Sequence, residues 1–123
     1  MKPPPSQSSV GLIHKLSECY LNLHRRTSKF PKPDRYTLGR RIENLMLDLI
    51  ELVLLAKTKT GPSQPLILNK ADLKLQTLKL MVRIAHQAKD LSNGAYAKLE
   101  EQLLEIGCLI GGWLKQIQTK RLQ

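Results

Sequence analysis

The stretch FPKPDRYTLGRRIENLMLDLIELVLLA, residues 30–56, decides how this chain is read. Pro31 and Pro33 cannot continue a helix, so they close whatever precedes them. Asp34 then has the chemistry of an N-cap for a new helix. From there Leu38, Ile42, Leu45, Leu49, Leu52 and Ala56 step alternately by four and three, which is one seam of an amphipathic helix. Met46, Leu47, Ile50, Val53 and Leu54 lie beside that seam. At about 100° per residue the combined apolar arc covers roughly 200°, well beyond the stripe of ~100° that a helix on one side of a bundle needs. The surplus predicts burial against another subunit. The alternative is a central helix covered on most sides within one chain.

Working outward, Ile13, Leu16, Tyr20, Leu23 and Thr27 form a helix face on the N-terminal side, with Ser8 or Ser9 as its cap. The Pro- and Ser-rich residues 1–8 read as a loose tail. On the other side, Thr60-Gly61-Pro62-Ser63 breaks the chain. A third helix follows from about Gln64–Leu66 to Leu91, with Leu73, Thr77, Leu80, Ile84, Ala88 and Leu91 as its core seam. Leu75, Leu78 and Val82 add apolar surface outside it. After the turn Ser92-Asn93-Gly94 comes the most regular pattern: Tyr96, Leu99, Leu103, Ile106, Ile110, Trp113 and Ile117. Gly107 and Gly111 share one face of that helix. Each costs about 1 kcal/mol of helix propensity relative to alanine, which close approach of a neighbouring helix would offset. Four helices with short connections and no period-two pattern predict an all-α, up-down-up-down four-helix bundle over residues 9–119, assembled into a symmetric oligomer. Residues 120–123 should fray.

No catalytic constellation stands out. His14, His24 and His86 lack metal-ligand spacing with acids, no Gly-rich phosphate loop is present, and no cofactor is implied. Helical toxin-type ribonucleases carry an arginine, then four to six residues, then a histidine, whereas Arg83 and His86 are only three apart. Glu43, Asp48 and Glu51 read as solvated or paired with Arg40 and Arg41. Cys108, in an apolar helical stretch, reads as core. Two cysteines without metal spacing, an N-terminus with no apolar leader, and a longest apolar run (Leu45–Ala56) too short to span a bilayer point to a cytoplasmic protein with reduced thiols and no membrane insertion.

The charge is informative. Twenty Lys and Arg stand against ten acids, a net charge of +10, which favours a polyanionic partner. Seven of those cations, Arg25, Arg26, Lys29, Lys32, Arg35, Arg40 and Arg41, fall between residues 25 and 41, with Asp34 the sole acid there. Lys79 and Arg83, with His86, share a face of the third helix. These residues are the candidate nucleic-acid contacts, since guanidinium groups fork onto phosphate oxygens. Tyr20, Tyr96 and Trp113 fall on core seams, leaving few rings for stacking. The expectation is therefore salt-sensitive, backbone-directed binding with little base readout.

Phe30-Pro31 followed by Arg35-Tyr36, and the longer run Arg35-Tyr36-Thr37-Leu38-Gly39 with Arg41-Ile42-Glu43-Asn44, resemble the accessory variability determinant (Avd) proteins of diversity-generating retroelements. These sit within a wider set of four-helix proteins related to ribosomal-RNA intervening-sequence proteins. The likeness is weaker elsewhere, and the wider set's Ser-Ile-Pro-x-Asn-Ile-Ala-Glu-Gly segment is absent. The resemblance implies a non-catalytic, basic homopentamer that binds the element's reverse transcriptase and template RNA, with DNA as a further partner, and supports mutagenic cDNA synthesis. Two competing readings remain: a helical adaptor whose basic face meets an acidic protein, and a peripheral membrane binder.

Overall fold

A computed structural model describes residues 5–122 as four long helices, and no strand occurs among them. Helix α1 runs Pro5–Thr27, α2 Arg40–Thr58, α3 Ser63–Gln87 and α4 Asn93–Leu122. Each helix packs on its neighbours in sequence, and α4 closes the ring against α1. The result is the expected up-down-up-down bundle, in which α1 and α3 lie on one diagonal and α2 and α4 on the other. The first helix begins at Pro5, ahead of the Ser8 or Ser9 start expected from capping, so residues 5–8 of the expected 1–8 tail are helical, and residues 1–4 lie outside the described residues. At the other end α4 continues to Leu122, beyond the expected limit at 119.

The core is a continuous set of apolar side chains: Leu12, Leu16, Cys19 and Leu23 of α1 meet Ile42, Leu45, Met46, Leu49 and Val53 of α2, and Leu99, Leu103, Ile106, Ile110 and Trp113 of α4. In α1 the buried face is rotated slightly from expectation. Leu12 and Cys19 are inside, while Ile13 and Tyr20 are half-buried at its edge. In α2 the expected seam holds at Ile42, Leu45, Leu49 and Ala56, and part of the surplus, Met46 and Val53, is covered within the chain. Leu47, Leu54 and Leu55 stay exposed.

Helix α3 corrects the sequence reading outright. Its buried residues are Leu68, Ala71, Leu75, Leu78, Val82 and Ala85. Most of the expected seam faces outward instead, with Leu73 67% and Leu80 49% exposed, while its last member, Leu91, is buried beyond the helix end. Two apolar series of the same three-four spacing run along α3, about 200° apart at roughly 100° per residue, so periodicity alone cannot choose between them. The buried series contains Ala71 and Ala85, whose small side chains let the backbone approach its neighbours. At Gly107 of α4 a Cβ would lie 3.3 Å from Leu75 Cδ2. Gly111 has open space around it, so close approach explains only the first of this glycine pair.

The junctions follow backbone chemistry. Beyond α1, Phe30 turns into the core and is fully buried. Pro31 is extended (φ −52°, ψ 145°), and its carbonyl accepts the N–H groups of Asp34 and Arg35, each at 2.9 Å. Asp34 is therefore not an N-cap. It has helical angles, makes no capping bond, and lies inside a first turn, Lys32–Asp34, that Pro33 tolerates because N–H groups there have no partner to lose. A π-helical turn, Arg35–Gly39, then leads into α2. Gly39 sits against the α1 corner, where a Cβ would be 3.3 Å from Phe30 Cδ2 and 3.4 Å from both Asp34 O and Thr27 Cβ. Between α3 and α4 the chain makes a Schellman turn: Asp90 N–H donates to Ala85 O (2.9 Å) and Lys89 N–H to His86 O (3.0 Å). Lys89 takes the left-handed position, φ 67°, where glycine is usual. Ser92 Oγ then caps α4 by accepting Ala95 N–H at 3.1 Å.

Candidate nucleic-acid interface

The cations at residues 25–41 gather where α1 ends and α2 begins, and the structure sorts them into two hollows on either side of the last turn of α1. On one side a groove of about 580 Å³ between α1 and α4 is lined by Arg25 and Arg26 from α1, by Lys29 in the turn just beyond it and by Lys98 from α4. Its two walls are tied by a hydrogen bond from Asn22 Nδ2 to Gln102 Oε1, 2.8 Å. The position suits cations, because His24, Arg25 and Arg26 occupy the final turn of α1, where unpaired carbonyls give the helix end its partial negative charge. Glu18 is the single acid in the lining. Lys98 was not predicted. It lies two residues before Glu100-Glu101 in the sequence, and only the antiparallel packing of α4 on α1 brings it to the arginines.

On the other side a smaller hollow of about 200 Å³ is lined by His24, Thr27, Ser28, Arg35, Tyr36, Arg40 and Glu43. Arg35 is anchored by its Nε–H to Phe30 O, 3.1 Å. The Arg35 and Arg40 guanidiniums lie 6.0 and 5.8 Å from the centre of the Tyr36 ring. Lys32 and Arg41 are exposed but line neither hollow. Among the described residues, none of the seven cations between 25 and 41 has a carboxylate partner. Glu43, expected to pair with Arg40 or Arg41, hydrogen-bonds His24 Nδ1 instead, and Asp48 meets Lys74 at 3.6 Å. The reason is helical geometry: Glu43 is half-buried toward α1, whereas Arg40 and Arg41 project to solvent.

Lys79 and Arg83 are elsewhere. They are on α3, diagonal to α1, and line a separate groove of about 440 Å³ against α4 together with Glu100, Glu101, Leu103 and Leu104. His86 does not line this groove. Its Nε2 meets Asn93 Oδ1 at 2.7 Å and its ring stacks on Tyr96, centroids 4.2 Å apart. The Tyr96 hydroxyl donates to Glu100 Oε1 (2.6 Å), a bond that raises its pKa. The facing carboxylates make this second basic pair a poorer phosphate site than the first cluster.

Little else in the molecule suggests chemistry. Among the described residues no three His, Cys, Asp or Glu side chains group as metal ligands, and no helix is long and apolar enough to cross a membrane. Cys19 is buried in the core, its thiol pushed up to about 12 by burial. Cys108 is exposed, contrary to expectation, because the core side of α4 is taken by Leu103, Ile106 and Ile110.

The chain is thus a four-helix bundle with guanidiniums that have no carboxylate partner gathered at one corner. The chain belongs to the bAvd-like family, whose profile spans residues 12–117. That family is one of accessory, non-catalytic proteins of diversity-generating retroelements. No curated protein matches the chain.

Proposed function

We propose that this protein is an oligomeric accessory subunit that binds the template RNA and reverse transcriptase of a diversity-generating retroelement, and DNA through the same surface, in support of mutagenic cDNA synthesis. The observation that carries this reading is the corner formed by Arg25, Arg26, Lys29, Lys98, Arg35 and Arg40, whose cations line two adjacent hollows with few acids nearby. Guanidiniums that neutralise phosphates displace the cations condensed along a nucleic-acid backbone, so binding gains from counterion release. Assembly, as a pentamer by family resemblance, is supported by the apolar side chains that neighbouring helices α2 and α3 leave in solvent: Leu47, Leu54, Leu55, Leu66, Leu73, Leu80 and Ile84. Such a patch marks an interaction face.

The same patch favours the adaptor reading, in which a protein partner covers it and nucleic acid plays no part. A salt titration of the full chain with RNA, DNA and anionic vesicles separates the readings. The proposal expects RNA affinity to fall steeply with salt, and reversal of Arg25, Arg26, Arg40 and Arg41 to glutamate to abolish it while the far-UV CD spectrum is unchanged. Affinity that is flat with salt, or untouched by the reversal, overturns it.

A further inference from the structure

Tyr36 is an aromatic ring left in solvent, 54% exposed, at the centre of the basic corner. Phe30, the other ring off the core seams, is fully buried, so among the described residues Tyr36 is the one Phe, Tyr or Trp side chain that is largely exposed. Its two arginine neighbours lie over the ring at the outer limit of cation–π contact, about 6 Å from its centre. The platform is held firmly. Tyr36 belongs to the π-helical turn, and such turns recur at functional sites. Arg35 Nε–H is bonded to Phe30 O, Thr37 Oγ1–H donates to Pro33 O at 2.9 Å, and Gly39 lets the turn seat against Phe30. Glu43, the acid in the hollow, is engaged by His24.

The hollow beside Tyr36 and the α1–α4 groove are separated only by the last turn of α1: His24, Thr27 and Ser28 line the first, Arg25, Arg26 and Lys29 the second. A strand crossing that turn can lay its phosphates among the α1 cations and set one base on Tyr36. We infer that Tyr36, with Arg35 and Arg40, is a stacking site for a single unpaired nucleotide, such as a bulged or terminal base next to a duplex. The inference rests on the nucleic-acid reading above and narrows it. One ring takes one base, and every base has a π-face, so the site selects for an unpaired nucleotide without reading its identity.

The test uses the full chain and four probes: an RNA hairpin with one bulged 2-aminopurine, the same hairpin fully paired, and the DNA equivalents of both. Wild type should quench the bulged fluorophore and prefer bulged to paired RNA. Tyr36→Ala should lose the quench and weaken bulged binding roughly 5- to 150-fold, the range alanine substitution gives for base stacking, while the salt slope stays as in wild type. Tyr36→Phe should keep both. Tyr36→Leu, apolar but without a π-face, should behave as alanine does and guards against an effect of truncation on folding. Preference for the bulge in RNA alone, or in RNA and DNA alike, supports the site and tells which sugar it accepts. Salt-sensitive binding without bulge preference, or a preference that survives Tyr36→Ala, overturns the stacking site and leaves the wider reading standing. No binding to any probe overturns both.

Discussion

Asp90 sits at the end of the Schellman turn with Oδ2 buried and without a hydrogen-bond partner. Loss of water around this carboxyl, then the neighbouring Asp34 carboxyl, raises the pKa from the ordinary 3.8 to about 6. A carboxyl whose pKa is higher folded than unfolded favours the fold at pH below 3.8, and that contribution is lost as pH rises through about 6. Asp90→Asn should therefore raise the melting temperature at pH 7 and change it little at pH 4. A gain of equal size at both pH values would show that the carboxyl does not titrate as the turn implies. The preceding residue gives a second expectation. Lys89 holds a left-handed backbone that costs a side-chain-bearing residue about 1–2 kcal/mol. Lys89→Gly should stabilise the protein by up to about 1 kcal/mol in urea titration, part of the relief being cancelled by glycine's greater freedom in the unfolded chain. The cysteines differ in the same local sense: a thiol reagent should modify exposed Cys108 in the native protein and reach buried Cys19 only on unfolding.

At the scale of elements, α3 is where sequence and structure part. Both of its apolar series have helical spacing, so the pattern establishes a helix and leaves its rotation open. Leu75→Ala, in the buried series, should cost about 2–5 kcal/mol by the usual loss of contact and residual cavity. Leu73→Ala, in the exposed series, should change the stability of the isolated chain by no more than about 0.5 kcal/mol. Equilibrium denaturation of the two variants side by side decides the register. The reverse result would mean that α3 is rotated by half a turn. The connection before α2 carries a similar lesson. Pro31, Pro33 and Asp34 announce a helix start in the sequence, but the insertion of a π-turn depends on Phe30 and Gly39 meeting, a contact across nine residues.

For the whole molecule, the two basic sets are on different sides of the bundle. Reversal of Arg25 and Arg26 to glutamate should weaken RNA binding at least tenfold and flatten its salt dependence, because each lost phosphate contact removes counterion release. Reversal of Lys79 and Arg83, which already face Glu100 and Glu101, should have a much smaller effect. Electrophoretic or fluorescence titration at two salt concentrations checks both. Equal losses would mean that RNA wraps the bundle and that the α1 corner has no special part.

Much was legible before folding. The prolines at 31 and 33, the Gly61-Pro62 break and the three-four apolar steps mark four helices, because helix propensity, capping and amphipathic period are local properties of neighbouring residues. The density of arginine between 25 and 41 is equally local, and the family motif at Arg35–Asn44 lies in the same run. What tertiary structure alone decided is which of two equivalent faces of α3 is covered, that Lys98 joins Arg25 and Arg26 while Lys79 and Arg83 do not, that Glu43 binds His24, and that Tyr36 stays in solvent while Phe30 is buried. Each depends on how helices dock. Docking is set by the summed burial and close packing of all four helices, a quantity that no single stretch of the chain contains.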